Sequence, residues 1–317
     1  MKIFLYLDKG KYMNEKLLEL EKLRKKTASV LIIVIVITII ITILFLFIFI
    51  SKLHSKNAYY IPILLGGAVG LLLAKVTGYT KRLEEYSLQF KSVFIGIPFK
   101  STFNNVAFRF ENGFNKDFID KTGMIQLGNR YFSNDYVEGT YKNIKFQRSD
   151  ILIQQRTYTG KHSHTITFFN GRWIVVEFNK DFHFDLQIVG AGFHNSNKKK
   201  SVFTHENERR HRIDMEDIEF NQRFHVYGQD DHEAFYILTP HFMKLLKDMY
   251  SSMDGAFMLG FVNNQLHVAI NTKQDAMEPS IFRSIDFIQV DQDVKREMQC
   301  IMDIIDGLYL DRNLYKI

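Results

Sequence analysis

The chain has 317 residues, 46 % of them hydrophobic, with one cysteine and a formal net charge of +6. The charge is unevenly placed: residues 1–82 hold 13 Lys/Arg against 4 Asp/Glu, and residues 83–317 hold 28 against 31. The larger part is thus nearly neutral, which argues against a dedicated nucleic-acid binder, and the lone Cys300 excludes a disulfide scaffold or a cysteine-rich metal site.

Residues 1–29 read as a cytoplasmic N-terminal helix, in which Leu17, Leu18, Leu20 and Leu23 interleave with Lys16, Glu19, Glu21 and Lys22. This pattern suits a helix lying on the membrane surface or, preferably, an extension of the following span that packs on the soluble domain. Residues 30–79 predict a transmembrane hairpin. Its first span, 30–50, is apolar except for Thr38 and Thr42. At a rise of 1.5 Å per residue it covers about 31 Å, the thickness of a hydrocarbon core. It starts too late and runs too long for a signal peptide. The second span, 58–77, contains Pro62 and Lys75 and is bracketed by Tyr59, Tyr60 and Tyr79 as interface anchors.

Gly66 and Gly70 put small residues on one face of that second span, which predicts close packing within the hairpin or, as a competing use, a homo-oligomer contact. Lys22, Arg24, Lys25 and Lys26 precede the hairpin, and Lys75, Lys81 and Arg82 close it. The intervening loop offers only Lys52 and Lys56. The positive-inside bias then places both termini in the cytoplasm of a multi-pass protein of the inner or plasma membrane.

Residues 80–130 read as a juxtamembrane helix and linker, with a strand at 106–110 and a short helix at 115–124 capped by Asn115. Residues 131–317 read as a soluble α+β domain. Strands are predicted at 136–141 and 144–148 around Lys142-Asn143, and at 151–156. A further hairpin, 165–169 and 172–178, is expected to turn at Asn170-Gly171, the pair that favours a two-residue type I′ turn. Trp173 reads as a core anchor. Strands at 186–189 and 223–227 follow. Asp230, Asp231 and Glu233 open a helix, and Thr239-Pro240 starts another with Phe242, Leu245, Leu246 and Met249 on its apolar face. A hairpin forms around Asn263-Asn264. The last helix, 292–310, places Val294, Met298, Ile301, Met302 and Ile305 on one side. Strands followed by late helices without βαβ alternation give an α+β class with an antiparallel sheet, sketched here as a partly closed, pleckstrin-homology-like barrel capped by the last helix.

Chemistry is sparse. The phosphate-binding glycine loops, the nucleophile elbow and the HExxH zinc motif are missing from the sequence. His162 and His164 could share a strand face toward a zinc ion, and His183 and Asp185 alternate similarly, but a solvated hairpin tip accounts for the first pair. The cluster Asp230, Asp231, His232 and Glu233 reads as helix capping, with general acid–base work as the competing use. No catalytic, cofactor-binding or metal residue is assigned. The basic stretch 195–212, with Lys198, Lys199, Lys200, Arg209 and Arg210, reads as an exposed loop with a lipid-headgroup contact as the sharper alternative.

Two motifs carry a family resemblance. The run from Trp173 through Glu177 and Phe178 to Lys180 is the first. The second joins Phe220, Phe224, Tyr227 and Asp230 to Glu233, Ala234, Leu238, Thr239 and Pro240. They resemble the bacterial membrane proteins classed as domain of unknown function 3137, with Phe235 standing where that family more commonly has Arg. The resemblance implies two N-terminal spans, no known reaction or cofactor, and weakly a LemA-type membrane protein as partner. The expected function is a membrane-anchored, non-enzymatic scaffold or sensor that binds a protein or lipid at the inner leaflet. The alternative is a membrane-associated enzyme acting on lipid or envelope precursors near Asp230–Glu233.

Overall fold

The computed structural model describes residues 2–52, 60–160, 162–177, 185–193, 211–252, 255–262, 264–273 and 279–307, with 2–14 and 50–52 described by backbone alone. The chain forms two compact units, Met1–Ile95 with Glu278–Asp291, and Gly96–Met277 with Gln292–Ile317.

The first unit is helical. α1 runs unbroken over Lys2–Lys52, so the N-terminal helix and the first predicted span are one rod. α2 follows at Tyr60–Val76 and α3 at Tyr79–Lys91. The apolar stretch of α1 lies bare: Ile33, Ile43 and Phe47 are exposed, the last by 75 %. Between Glu15 and Phe49, α1 is long and apolar enough to cross a membrane. α2 is shorter, and passes the same test only together with Tyr79–Thr102, from which it is bent by 54°.

α1 and α2 pack antiparallel. A Cβ on Gly66 would meet the Thr42 side chain at 2.0 Å, and one on Gly70 would meet Thr38 at 2.9 Å. Only glycine permits this approach. The threonine hydroxyls donate back to the Val34 and Thr38 carbonyls at 2.7 and 2.8 Å, so neither is left unbonded.

Below this contact, Leu20 packs with Tyr86, Phe90, Val93 and Phe94 of the α3 region and with Ile281. Arg24, read from sequence as a membrane-flanking charge, is instead buried. It donates to the Ile281 carbonyl at 2.9 Å and pairs with Glu21 at 2.9 Å. Glu21 in turn accepts from the Ile285 amide at 3.1 Å. A stretch more than 250 residues away in sequence is thereby pinned to α1.

The second unit is built on a nine-stranded sheet among the described residues. Its elements are α4 (Ile97–Thr102), β1 (Asn104–Arg109), α5 (Lys116–Asp120), β2 (Arg130–Tyr141), β3 (Ile144–Thr159), β4 (His162–Glu177), β5 (Leu186–Gly190), β6 (His211–Ile213), α6 (Ile218–Arg223), β7 (Phe224–Gly228), α7 (Asp231–Ile237), α8 (Pro240–Ser252), β8 (Ala256–Val262), β9 (Gln265–Asn271) and α9 (Phe287–Gly307). The unit boundary at Asp291 falls within α9. The strand order is β1-β2-β3-β4-β9-β8-β5-β7-β6, with every pairing antiparallel. The late β8–β9 hairpin inserts between β4 and β5.

The local signals act as read. Asn115 caps α5, its side chain accepting from the Asp117 amide at 2.9 Å. Lys142 and Asn143 take φ values of 49° and 67°, the left-handed pair of a type I′ turn joining β2 to β3. The Thr239 hydroxyl accepts from the Phe242 amide at 3.2 Å with Pro240 as the first residue of α8. Phe242, Leu246 and Met249 are buried on that helix, as are Val294, Met298, Ile301 and Ile305 on α9. Cys300 is a small buried residue of α9.

The expected barrel and one expected turn fail. The sheet is open, because β1 at one edge and β6 at the other do not pair. Closing a barrel requires bonded edges in a staggered register, and edges of six and three residues do not supply them. The predicted turn at Asn170-Gly171 is also missing: β4 runs straight through it, with Asn170 opposite Leu152 and Gly171 opposite Ile151. The true turn lies earlier, beside Gly160, where Thr159 faces His162. Gly171 serves a different purpose. A Cβ there would lie 2.0 Å from the Ile270 carbonyl oxygen, so the glycine lets β9 approach β4.

The two sheet faces have separate covers. Trp173, Val175, Ile151, Ile153, Met258 and Ala269 meet Phe114, Ile119 and Met124 of the α5 region on one side. On the other, Phe146 packs against Phe99 and Phe103 at 6.5 and 4.7 Å, and Phe242 of α8 against Phe261 at 6.5 Å. Each fully buried large apolar side chain stabilises the fold by roughly 1.5–3 kcal/mol. We expect Gly171→Val to cost about 1–3 kcal/mol or more through overpacking against the β9 backbone. In a urea titration the midpoint should fall; an unchanged midpoint would contradict the close-approach role.

Candidate functional site

The strand that the sequence breaks at 149–150 is continuous, and this has a chemical consequence. Arg148 and Asp150 are two residues apart on β3 and share a face, and Arg172 on β4 stands directly opposite Asp150. Glu297 comes down onto the same face from α9, where it occupies a position in the apolar stripe between Val294 and Met298. The result is a buried charge cluster. Arg148 Nε bonds Glu297 Oε1, Arg148 Nη2 lies 3.0 Å from Asp150 Oδ1 and 3.4 Å from Glu297 Oε2, and Arg172 Nε lies 3.2 Å from Glu297 Oε2. Arg148 also donates to the Asp135 carbonyl at 3.0 Å, beside a β2 bulge where Asp135 has φ 55°.

Burial and pairing compete in this cluster. Burial alone pulls the Arg148 guanidinium down, but Asp150 and then Glu297 outweigh it and hold it above its ordinary range. Burial pushes Glu297 up, yet Arg148 and Arg172 together keep it below the usual carboxylate value. Asp150 goes the other way: burial, with only partial relief from Arg148 and with Glu297 adding repulsion, raises it from 3.8 to about 7. The cluster thus contains one carboxyl poised to exchange a proton near neutrality. Arg148 and Glu297 are sealed from solvent, so the arrangement clasps the Gln292–Gly307 part of α9 to the sheet. Removing one partner of such a pair typically costs about 3–5 kcal/mol, because the other charge is stranded. Tyr141 and Lys142 reinforce the clasp at its far end, reaching Asp306 at 3.3 and 2.6 Å.

Another buried polar contact joins Trp173 to β9. Its indole Nε1 donates to His267 Nδ1 at 3.1 Å, which assigns the ring proton to Nε2. Burial holds His267 down at about 3, so it is neutral across the physiological range.

The residues singled out from sequence are scattered and mostly structural. Trp173, Phe220, Phe224, Ala234 and Leu238 are buried, and Phe220 stacks on Phe224 with centroids 4.7 Å apart. Tyr227 pairs with Gln187 and Arg212 in the ladder. Asp230 caps α7, accepting from the His232 amide at 2.7 Å, while Asp231 lies 2.6 Å from His211 Nε2. Glu233 is half-buried in the first turn of α7. The motif around Phe220–Pro240 is therefore a strand between capped helices. Glu177 is exposed, 3.4 Å from Lys145. His162 and His164 are exposed at the start of β4. Asp185 is half-buried just before β5. Phe178, Lys180, His183, Lys198, Lys199, Lys200, Arg209 and Arg210 lie outside the described residues.

Residues 167–310 match the family model DUF3137, described as a protein of unknown function. The match covers under half of the chain. It runs from β4 through α9, so it contains Arg172 and Glu297 but neither Arg148 nor Asp150, and it begins after the N-terminal helices. No curated protein matches the chain. One solved structure, the crystal structure of the mycobacterial trehalose monomycolate transport factor A, TtfA, aligns over 71 % of this chain and 94 % of its own at 9 % identity and a TM-score of 0.37. A likeness at that level carries no argument.

The sign of the pH dependence follows from Asp150. Its folded form keeps a proton that the unfolded chain loses above about 3.8, so its contribution to stability is full below that value and is lost as pH rises to about 7. Asp150→Asn cannot ionise. Denaturant titrations from pH 5 to 8 should show the parent losing stability across this window and the variant losing less; parallel curves would contradict the assignment.

Proposed function

We propose that the chain is a non-enzymatic scaffold or sensor, anchored in the inner or plasma membrane by two passes, whose second unit binds a protein partner or lipid at the inner leaflet. The observation that carries this reading is the bare apolar surface of α1, with Phe47 at 75 % and Ile43 at 58 % exposure. Such a rod is stable in hydrocarbon and costly in water. α2 supports a second pass. Its 17 residues rise about 26 Å, its outer face is equally apolar, with Leu71 and Val76 exposed, and its glycine face is seated on α1. Self-association through Gly66 and Gly70 would require that seat to open.

Lys22, Lys25 and Lys26 are exposed on α1, as are Lys75 and Lys81 at the close of the second pass, and this bias supports cytoplasmic termini. Against catalysis stands the engagement of the titratable groups: Asp230 caps a helix, and the charge cluster is closed to a substrate. A LemA-type membrane protein remains the partner implied by the resemblance, and the basic stretch 195–212 the proposed lipid contact.

The anchor is tested by expressing the full chain with a C-terminal reporter active only in the cytoplasm. We expect the protein in the membrane fraction after alkaline carbonate extraction, with the reporter active. Release by carbonate would overturn the anchor, and an inactive reporter that activates when moved to residues 53–59 would reverse its orientation.

A further inference from the structure

Beyond its support by neighbouring strands, the β3–β4 ribbon continues as a two-stranded projection. β9 begins to pair with β4 only at Arg172, and β2 ends opposite Gln154. Residues 157–160 and 162–167 are exposed on both faces of the ribbon. Its two backbone edges are treated differently. On β3, the Asn129 side chain closes the edge at Arg156, accepting from its amide at 2.8 Å and donating to its carbonyl at 2.7 Å. On β4, among the described residues, no strand covers His162–Phe168. This segment holds no Lys, Arg, Asp, Glu or Pro, the residues that usually blunt an open edge, and its one register irregularity lies at its end, at Phe168.

We propose that the β4 edge, His162–Phe168, pairs antiparallel with the same edge of a second copy of this chain, about a twofold axis at Thr165. The occupant follows from self-complementarity. In that register Thr165 faces Thr165, Ser163 faces Thr167, His164 faces Ile166 and His162 faces Phe168. Because strand side chains alternate, the hydroxyl residues fall on one face, and the histidines meet apolar partners on the other. Cross-strand hydroxyl pairs are favourable, and no like-charged Lys/Arg or Asp/Glu pair is opposed. A lone two-stranded ribbon is marginal in water, and four strands remedy this. A twofold, isologous contact is also the commonest way for identical chains to associate. The inference rests on the ribbon alone and is independent of the membrane reading.

Residues directly opposite in an antiparallel pair have Cα atoms roughly 4.5–5.5 Å apart, within the range a disulfide spans. The test is therefore Thr165→Cys in the full-length chain, purified in detergent and mildly oxidised; the native Cys300 is buried. We expect most of the protein to run as a covalent dimer of this chain, with Thr157→Cys on β3 staying monomeric. We also expect Thr165→Lys to shift the unlinked protein from dimer to monomer in sedimentation. A monomeric Thr165→Cys, equal cross-linking by Thr157→Cys, or a Thr165→Lys variant that sediments as the parent would overturn the proposal. So would a cross-linked band containing another protein, which would assign the edge to a different partner.

Discussion

Among the described residues most of the apolar stretch of α1 has nothing packed over it, and in the proposed reading its cover comes from outside the chain. That constraint governs the rest. α1 presents isoleucine, leucine and phenylalanine outward along some twenty residues, and among the described residues Thr38 and Thr42 meet Gly70 and Gly66 in a tight seam. In the proposed reading lipid supplies the missing cover, and the second pass covers the Thr38/Thr42 face of α1. Below the apolar stretch the same rod becomes an ordinary protein helix. Leu20 is buried, and Arg24 and Glu21 hold the backbone at Ile281 and Ile285. In the proposed reading a helix that is one continuous body thus changes solvent along its length.

The second unit obeys a different constraint. Its long central strands are covered on both faces, so β8 and β9 read as nearly unbroken buried runs. Placing Arg148, Asp150 and Arg172 on one of those faces is costly unless a counter-charge arrives, and Glu297 is that charge. The cluster fixes where the Gln292–Gly307 part of α9 sits, since sliding it by one residue would take Glu297 away from both guanidiniums. Hydrophobic packing alone tolerates more slippage. Asp150 holds its proton toward neutrality because its burial outweighs what Arg148 returns.

What was legible in the sequence was what short-range chemistry decides. Asn115, Asp230 and Thr239 cap helices as read, and Lys142-Asn143 turns the chain. The apolar stripe of α9 and the burial of Trp173 also follow from pattern. Where two physical causes select the same residue, the reading failed. Glycine after asparagine is favoured by a tight turn and equally by a close-passing strand, and at Gly171 the second cause holds. Treating that pair as a turn also cut β4 and hid the apposition of Arg172 to Asp150. The cluster nevertheless left marks: a glutamate within an apolar helical stripe, and an Arg-x-Asp spacing on a strand. The capture of Ile281 by Arg24 left none, because nothing local records a contact across such a separation. The open sheet was likewise out of reach, since strand count does not say whether edges meet.

The membrane claim is tested most directly on α1 itself, in reconstituted bilayers. A nitroxide placed at Ile40→Cys, an exposed apolar position near the middle of the bare stretch, reports collisions with oxygen, which concentrates in hydrocarbon, and with a water-soluble nickel chelate. The account predicts strong relaxation by oxygen and almost none by the chelate. Strong relaxation by the chelate would place this surface in water and contradict it.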